Sequence, residues 1–331
     1  MNIIRLNNLG DISNKLIPKI ISDGKESIVH GNGNEMNCHE LNSVMVSFDS
    51  PNLFGNFYSM SQMAFSLAEM IYVLSGRTDN EIMQYYFEQF RIEDDGYGFF
   101  TTPVSKRVYE LYGDQVYNSF RELKKSKGAT SAVINLFMNT PGWIGHDCSL
   151  AIQFTVNNEN ELETHISYRA VDVINYLRSD ILIYSVLHSL MANWLSIKPG
   201  SMIVYTPKMY ILENNLEAAK NAIKQSQAFK DNSTYEIPLR SDSVIGNRKL
   251  FSYAVDLINQ WHRNSELDYY DEIENSHLPE FLKHILKVLY IIDNIKDGEI
   301  SDKLRTLENS VLRQNILFFQ KYKVDDNLEV N

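Results

Sequence analysis

Residues 148–180 read CSLAIQFTVNNENELETHISYRAVDVINYLRSD, and this stretch decides the architecture. Ala151 to Val156 and Leu162 to Tyr168 are β-type runs, and the polar segment Asn157-Asn158-Glu159-Asn160-Glu161 between them predicts a hairpin. From Val171 to Ser196 the chain is apolar on nearly every helical face. That pattern predicts a central helix buried on all sides. Lys198-Pro199-Gly200 interrupts it, and Ser201 to Tyr205 predicts a further strand. Strands on both sides of a buried helix make the expected class α/β.

Working outward, Ile12 to Ile21 is a helix candidate that leads into the turn His30-Gly31-Asn32-Gly33-Asn34 and the strand-like run Ser43 to Phe48. Residues 61–75 predict a buried helix stopped by Gly76, with Glu69 in its middle. Helix candidates follow around 80–90 and 115–125, and Ala132 to Met138 is a β-type run. After about 240 the texture changes to amphipathic helices, at 250–262, 278–295 and 301–322. The expected division is a catalytic domain over 1–239 and a helical C-terminal extension over 240–331 packed on it.

The 331 residues carry 31 Lys+Arg against 42 Asp+Glu, a formal net charge of −11. This acidic balance argues against a nucleic-acid polymer as partner, since such a binder needs a basic stripe to displace counterions. A single nucleotide needs only one or two placed cations. The longest apolar runs are about six residues, far short of a membrane span, and the start MNIIRLNNLGDIS lacks the pattern of a signal peptide. Two cysteines, Cys38 and Cys148, cannot build a disulfide framework or a four-thiolate zinc site. The expectation is a cytoplasmic protein without a metal and without a membrane.

Cys148, flanked by strand residues, reads either as a core thiol or as a nucleophile beside His146 and Asp147. Arg169 and Asp172 follow the hairpin and read as an ion pair at the helix start or as ligand-binding groups. Asp180 falls in the apolar helix, and Glu69 in another. A buried carboxylate must be paired, protonated or bound to something polar. Three acids and a thiol on buried elements point to an enzyme pocket without naming it.

The spacing Cys148-x4-Gln153-Phe154-x-Val156, a polar turn, then Tyr168-Arg169-Ala170-Val171-Asp172-Val173 resembles the thymidylate synthase superfamily. Members there read Cys-His-x3-Gln-Phe-x-Val, a turn, then Gln-Arg-Ser-x-Asp-Val. Leu195-x2-Lys198-Pro199-Gly200 is similar to that family's Leu-x-Pro-Gly turn, and Thr206-x3-Tyr210 to its Asp-x-His-x-Tyr strand. Ala68-Glu69-Met70-Ile71-Tyr72-Val73-Leu74-Ser75-Gly76 resembles its Glu-Leu-Leu-Trp-Phe-Leu-x-Gly helix, and Tyr112-Gly113-Asp114-Gln115 its Tyr-Gly-x-Gln turn. The pieces stand in family order across roughly residues 25–217. The resemblance implies a large mixed sheet, a long buried central helix and, in this chain, an added helical C-terminal region.

It also implies a chemistry. Cys148 would add to C6 of a pyrimidine nucleotide and make C5 a carbon nucleophile. That carbon takes a one-carbon unit from the co-substrate 5,10-methylenetetrahydrofolate, and hydride or water completes the product. Glu69 would organise water and proton transfer, Tyr112 would assist proton removal at C5, and Arg169 would hold the phosphate and favour the thiolate. Asp172 would orient the base or the pterin. A homodimer is expected, each site completed from both chains.

Departures from the family pattern indicate the branch. Asp180 stands where the synthases carry Asn, which suits cytosine better than uracil, particularly when protonated. Ala170 replaces a Ser and leaves room for a ribose 2′-hydroxyl. Lys208 replaces the His of the Asp-x-His-x-Tyr strand, while Tyr210 is kept for the sugar. Together they imply a CMP 5-hydroxymethylase of the kind used for pyrimidine antimetabolites or nucleoside antibiotics. The alternatives are a dCMP hydroxymethylase and a non-catalytic nucleotide-binding relative. Other departures oppose a simple transfer. Ala129-Thr130-Ser131 stands where phosphate-binding arginines would lie, with Lys124, Lys125, Lys127 and His30 as the nearest cations. Ser149 follows the nucleophile where the family has His, Asp147 precedes it, and Tyr176 and Arg178 occupy the folate-facing Gly and Pro positions.

Overall fold

The computed structural model describes residues 2–7, 9–31, 34–49, 57–79, 81–86, 104–137, 148–228, 243–264, 268–294, 303–304, 307 and 311–322. His146, Asp147, Asn32, Gly33, Met138 and the expected helix positions 87–90 lie outside them. The chain forms two compact units, residues 1–56 with 106–230, and residues 57–105 with 231–331. The catalytic region read from sequence as 1–239 therefore contributes to both.

The first unit holds one eight-stranded mixed sheet: β1 (Asn2–Leu6), β2 (Lys25–Gly31), β3 (Asn34–Phe48), β4 (Val133–Asn135), β5 (Ser149–Val156), β6 (Glu161–Tyr168), β7 (Val171–Asp172) and β8 (Lys198–Leu212). Its order is β1-β3-β8-β6-β5-β4, with β2 on β3 and β7 on β8. β1 runs parallel to β3, and β6 and β7 run parallel to β8. The hairpin forms as the sequence predicts. On β6, Leu162, Thr164, Ile166 and Tyr168 face the core in strict alternation. Its turn closes through Asn157, whose Oδ1 accepts the Glu161 N–H at 2.9 Å. Asn160 takes φ 63°, a conformation that Asn tolerates better than most residues.

The central helix spans Leu177–Leu195 and buries residues on every face, but it starts six positions later than the hydropathy predicts. Val171 and Asp172 pair with Met209 and Tyr210 of β8 instead. The Asp172 carboxylate then accepts the N–H groups of Ile174 and Asn175 at 2.9 and 3.2 Å, which holds the chain in a turn before the helix begins. Lys198-Pro199-Gly200 is the start of β8 rather than a break before it. Gly200 is required there, because a Cβ would stand 2.8 Å from the Leu162 carbonyl oxygen. β8 is also longer than Ser201 to Tyr205. Its pairing with β3 passes over Pro207, which has no N–H to give, and over Ser43, at φ 53°.

The second unit is helical. Met60–Ser75 starts at Ser59, whose Oγ accepts the Gln62 N–H at 3.0 Å, and ends at Gly76 with φ 71°. It packs with Val244–Arg263 and Glu280–Asn294, where the C-terminal amphipathic pattern predicts helices, the first starting six residues earlier than expected and the second matching within two. Val311–Tyr322 joins them, and its fully buried Asn315 accepts the Phe57 N–H at 3.0 Å. Arg77 pairs with Asp79 and Asp256, tying the end of the first helix to the C-terminal part. No described helix is long and apolar enough to cross a membrane.

Candidate active site

The hairpin register places Cys148 beside Arg169. Ser149 faces Tyr168 across β5 and β6, and one step beyond, the Arg169 N–H donates to the Cys148 carbonyl at 2.9 Å. Cys148 is half-buried and Arg169 is exposed. Cys38, the other thiol, is sealed among Val29 and Leu212 at 2% exposure. Burial, then the charge of Glu40, pushes its thiol up to about 11. A thiol so held is a poor nucleophile at neutral pH. Of the two cysteines, Cys148 is the one with access.

Asp172 and Tyr210 are partners across β7 and β8. Burial raises the Tyr210 phenol strongly, and the charges of Asp172, Cys148 and Tyr176 raise it further, against a lowering by Arg169. The charges of all four groups therefore reach one hydroxyl. Asp172, 1% exposed, accepts from Ile174 N, Asn175 N and Asn175 Nδ2, the last at 2.9 Å. Burial outweighs these bonds and pushes its carboxyl up to about 6 from 3.8. The folded state thus binds the proton more tightly than the unfolded chain. The stability this gives is fully present below 3.8 and is lost as pH rises through about 6, a change of about 3 kcal/mol. Urea unfolding of the intact chain at several pH values across that window should show the decline in wild type and a flatter profile in Asp172→Asn. Parallel profiles would assign the decline to other groups.

Asp180 sits in the first turn of the central helix, half-buried rather than sealed in its interior as the sequence suggests. Tyr184, one turn on, shares its face and donates to Ser149 Oγ at 2.8 Å. Tyr168 is 1% exposed, and burial followed by the charge of Asp180 holds its phenol well above the ordinary value. Ser149, Tyr168 and Tyr184 are therefore neighbours next to Cys148 at the end of the hairpin, and the charge of Asp180 reaches Tyr168.

Lys208 makes an ion pair with Glu40 at 2.6 Å. Glu40 is 8% exposed and also accepts from Asn42 Nδ2 at 3.1 Å. The lysine carboxylate pairing, in a mostly buried setting, occupies the charge that the sequence offers to the sugar. Ala170 is half-buried immediately after Arg169. Tyr176 leads into the central helix with 37% of its surface exposed. Arg178 turns the other way: it is 1% exposed, and its Nη2 donates to the buried Ser13 Oγ at 2.9 Å. It fastens the N-terminal segment to the central helix and does not face solvent.

Tyr112 stands on an exposed turn, closed by Gly113 at φ 73°. Gln115 anchors that turn, with Nε2 donating to Arg107 O and Asn135 O and Oε1 accepting the Asn135 N–H at 2.8 Å. Glu69 is half-buried on Met60–Ser75, in the second unit. Lys124 and Lys125 are exposed at the end of Gln115–Lys125, and His30 is an exposed neighbour of Glu35. Among the described residues no group of His, Cys, Asp and Glu is placed to hold a metal ion.

Of the residues expected from sequence, Cys148, Arg169, Asp172 and Tyr210 converge, with Ala170 adjoining Arg169 and Asp180 joined through Tyr168. The sequence reading missed Tyr168, Tyr184 and Glu40. A polar-tipped aromatic at the core-facing end of β6 was the available signal for Tyr168. Glu40 was hidden because its partner, Lys208, is about 170 residues away in the chain.

Comparison with known proteins fits this arrangement. The family model described as thymidylate synthase matches residues 15–257. A curated protein of Bacillus phage SP01, named deoxyuridylate hydroxymethyltransferase, is 22% identical over 244 residues, covering 67% of this chain. The aligned part spans 63% of that relative's length.

Proposed function

Because the chain belongs to the thymidylate synthase family, we propose that it is a CMP 5-hydroxymethylase. It would transfer a one-carbon unit from 5,10-methylenetetrahydrofolate to C5 of the cytosine ring and complete the product by water addition. The observation that supports this best is that Cys148 and Arg169, and Asp172 and Tyr210, are paired on neighbouring strands of one sheet, with the charges of Cys148, Arg169 and Asp172 all reaching the Tyr210 phenol. An accessible thiol, a guanidinium, a carboxyl that keeps its proton to about 6 and a phenol are the groups this chemistry uses.

In this reading the Cys148 thiolate would form a bond to C6, and the C5–C6 electron pair would move to C5, which bonds the one-carbon unit. Loss of the C5 proton and of the folate amine would leave an exocyclic methylene that takes water. The Sγ–C6 bond would break as the C5–C6 double bond re-forms. Arg169, beside Cys148, holds the phosphate. Tyr210 meets the sugar, with Lys208 fixed by Glu40 at its flank. Asp180 reads the base. The exposed ring of Tyr176 offers a stacking face, and the sealed Asp172 carboxyl, which accepts from Ile174 and Asn175, orients the pterin only through the turn that carries that ring. A stacking face fits a pterin, which presents an aromatic ring. The co-substrate supplies the carbon at the oxidation level of formaldehyde. Glu69 and Tyr112 keep the proton-handling roles that the family resemblance gives them. With no arginine at Ala129-Thr130-Ser131, the proposed homodimer would have to draw its further phosphate contacts from other cations.

The test is incubation of the purified chain with CMP, dCMP, UMP or dUMP plus the folate, followed by product mass. A hydroxymethyl group added to CMP is expected. The name of the phage relative supports a second reading, in which a uracil deoxynucleotide is the substrate. Product from dUMP alone would establish it over the first. Binding of CMP with no product from any nucleotide would leave a non-catalytic relative.

The sugar preference rests on Ala170. A Ser there adds one oxygen that crowds a 2′-hydroxyl and leaves deoxyribose unaffected, an effect of about 0.5–1.5 kcal/mol. Ala170→Ser should lower the CMP-to-dCMP ratio in kcat/KM several-fold without changing the reaction at the base. Faster turnover of dCMP than of CMP by wild type would replace the ribonucleotide reading with the dCMP one.

A further inference from the structure

β5 is irregular just after Cys148. Ser149 pairs with Tyr168 and Ala151 with Ser167, so Leu150 is an extra residue without a counterpart on β6, a β-bulge. The bulge changes which face each side chain takes. Ile152 and Phe154 are sealed in the core, while Gln153 and Thr155 between and after them are half-buried. That alternation, carried back unbroken, would turn Leu150 and Cys148 into the core. With the extra residue, the core-facing place before Ile152 passes to Ser149, at 7% exposure, and Cys148 is half-buried. In an unbulged strand the thiol would be sealed, as Cys38 is.

A bulge forgoes the pairing of one residue, and a core-facing serine must have its hydroxyl satisfied. Three sets of bonds meet these costs. On the β6 side the Arg169 N–H donates to the Cys148 carbonyl at 2.9 Å. On the β4 side the Leu150 carbonyl accepts the N–H groups of Leu136 and Phe137 at 2.9 and 3.1 Å. Both are main-chain bonds, open to almost any side chain. The third depends on side chains: Tyr184 Oη, reaching from the central helix, donates to Ser149 Oγ at 2.8 Å, with both residues buried. A slip of one residue exchanges the two faces of a strand. It would bring Cys148 or Leu150 to the Tyr184 hydroxyl, and a thiol accepts weakly while a leucine accepts nothing. The bond from Tyr184 therefore favours the bulged register over the regular one.

We propose that Tyr184, acting through Ser149, is a positioning residue for the nucleophile: their hydrogen bond fixes the bulge at Leu150 and so keeps the Cys148 thiol out of the core and available to the nucleotide. This deepens the proposed function and rests on its assignment of Cys148 as nucleophile. Ser149, which departs from the His of the family pattern, gains a role from this contact. The effect is on where the thiol lies. A residue with only a packing role would change stability and leave the reactivity of the thiol alone.

The experiment measures three quantities on the intact chain: alkylation of Cys148 by iodoacetamide, located by peptide mass; tritium release from C5-labelled CMP, or dUMP if wild type turns over only that; and the dissociation constant of the same nucleotide. Tyr184→Phe keeps the ring and removes one hydroxyl. It and Ser149→Ala should each slow alkylation several-fold and C5 exchange by about tenfold or more, the scale of a misplaced reacting group, with little change in the dissociation constant. Ser149→Thr retains an acceptor oxygen and should keep both rates near those of wild type. Combining Tyr184→Phe with Ser149→Ala should be no worse than either alone, because both remove the same bond. Thermal melting of each variant reports folding, and either single variant that folds carries the test. Wild-type rates of alkylation and exchange in the single variants, with Cys148→Ser inactive, would overturn the inference and leave the proposed function standing. Exchange that persists in Cys148→Ser would overturn the proposed function, and the alkylation rates alone would then decide whether Tyr184 places the thiol. Multiplied losses in the double variant would overturn the action of Tyr184 through Ser149.

Discussion

Cys148→Ser is expected to lower turnover by roughly 10³-fold or more while nucleotide binding persists, since removal of a covalent nucleophile costs at least that in comparable enzymes. The argument is chemical before it is structural. A serine hydroxyl is far less ionised and far less nucleophilic than a thiol at neutral pH, and addition to C6 needs the anion. The structure keeps the rest of the site in place. The backbone bond from the Arg169 N–H to the Cys148 carbonyl does not involve the side chain. The half-buried setting of Cys148 accepts an oxygen in place of sulfur. Cys38 cannot stand in, because burial holds its thiol up to about 11. Release of tritium from C5 of labelled nucleotide reads the addition step directly, since exchange at C5 requires it. Calorimetry reads binding. Exchange in Cys148→Ser near the wild-type rate would make Cys148 a core thiol and remove the proposed mechanism.

The parts of the fold that were legible in the sequence are those in which local pattern and tertiary environment agree. The hairpin over β5 and β6 follows from its alternation and its Asn-rich turn, and the helix Met60–Ser75 follows from its apolar run, with Gly76 as a stop. Where they disagree, the long-range partner wins. Val171 and Asp172 have helix-compatible hydropathy, but β8 supplies a strand partner and the Asp172 carboxylate takes the N–H groups that a helix would have used. Lys198-Pro199-Gly200 reads as a break because Pro and Gly are poor strand residues. The close approach to Leu162 makes the glycine a requirement of the sheet instead. The two compact units could not be read, since one of them joins residues 57–105 to 231–331 across a sequence gap that carries the whole central helix.

The site divides the same way. Spacing along the hairpin indicated Cys148, Arg169 and Asp172, because their separation in sequence is short and the register follows from one turn. The environment of each was not visible. Arg178 sits at a folate-facing position of the family pattern, yet it is buried and its Nη2 donates to Ser13, 165 residues earlier. Lys208 looked available for the sugar and is held by Glu40. Lys208 finds its partner through the register of β3 on β8 and Arg178 through helix packing, and both are set by the whole fold rather than by neighbours in sequence.

Asp180→Asn is expected to shift selectivity toward uracil nucleotides by at least tenfold, about 1.4 kcal/mol. The amide has one carbonyl and one NH2, which in one orientation pair with the N3–H and C4 carbonyl of uracil. Held in that orientation it meets its like at both N3 and C4 of cytosine, and a buried unmatched polar group costs about 1–3 kcal/mol. Competing effects are smaller. Asp180 is acidic in the first turn of the central helix, and loss of its charge there forgoes about 0.3–1 kcal/mol of interaction with the helix dipole. That loss affects the folded state whatever base is bound, so it cancels in a ratio. The Asp180 N–H bond to the Tyr176 carbonyl at 3.1 Å belongs to the backbone and is unchanged. Side-chain volume is also conserved, so Tyr168 keeps its packing. Measured as kcat/KM for CMP and for UMP, the shift separates base reading from general damage, which lowers both values together. A constant ratio would make Asp180 a half-buried acid that serves Tyr168 and the helix start, and the cytosine assignment would lose the residue on which it rests.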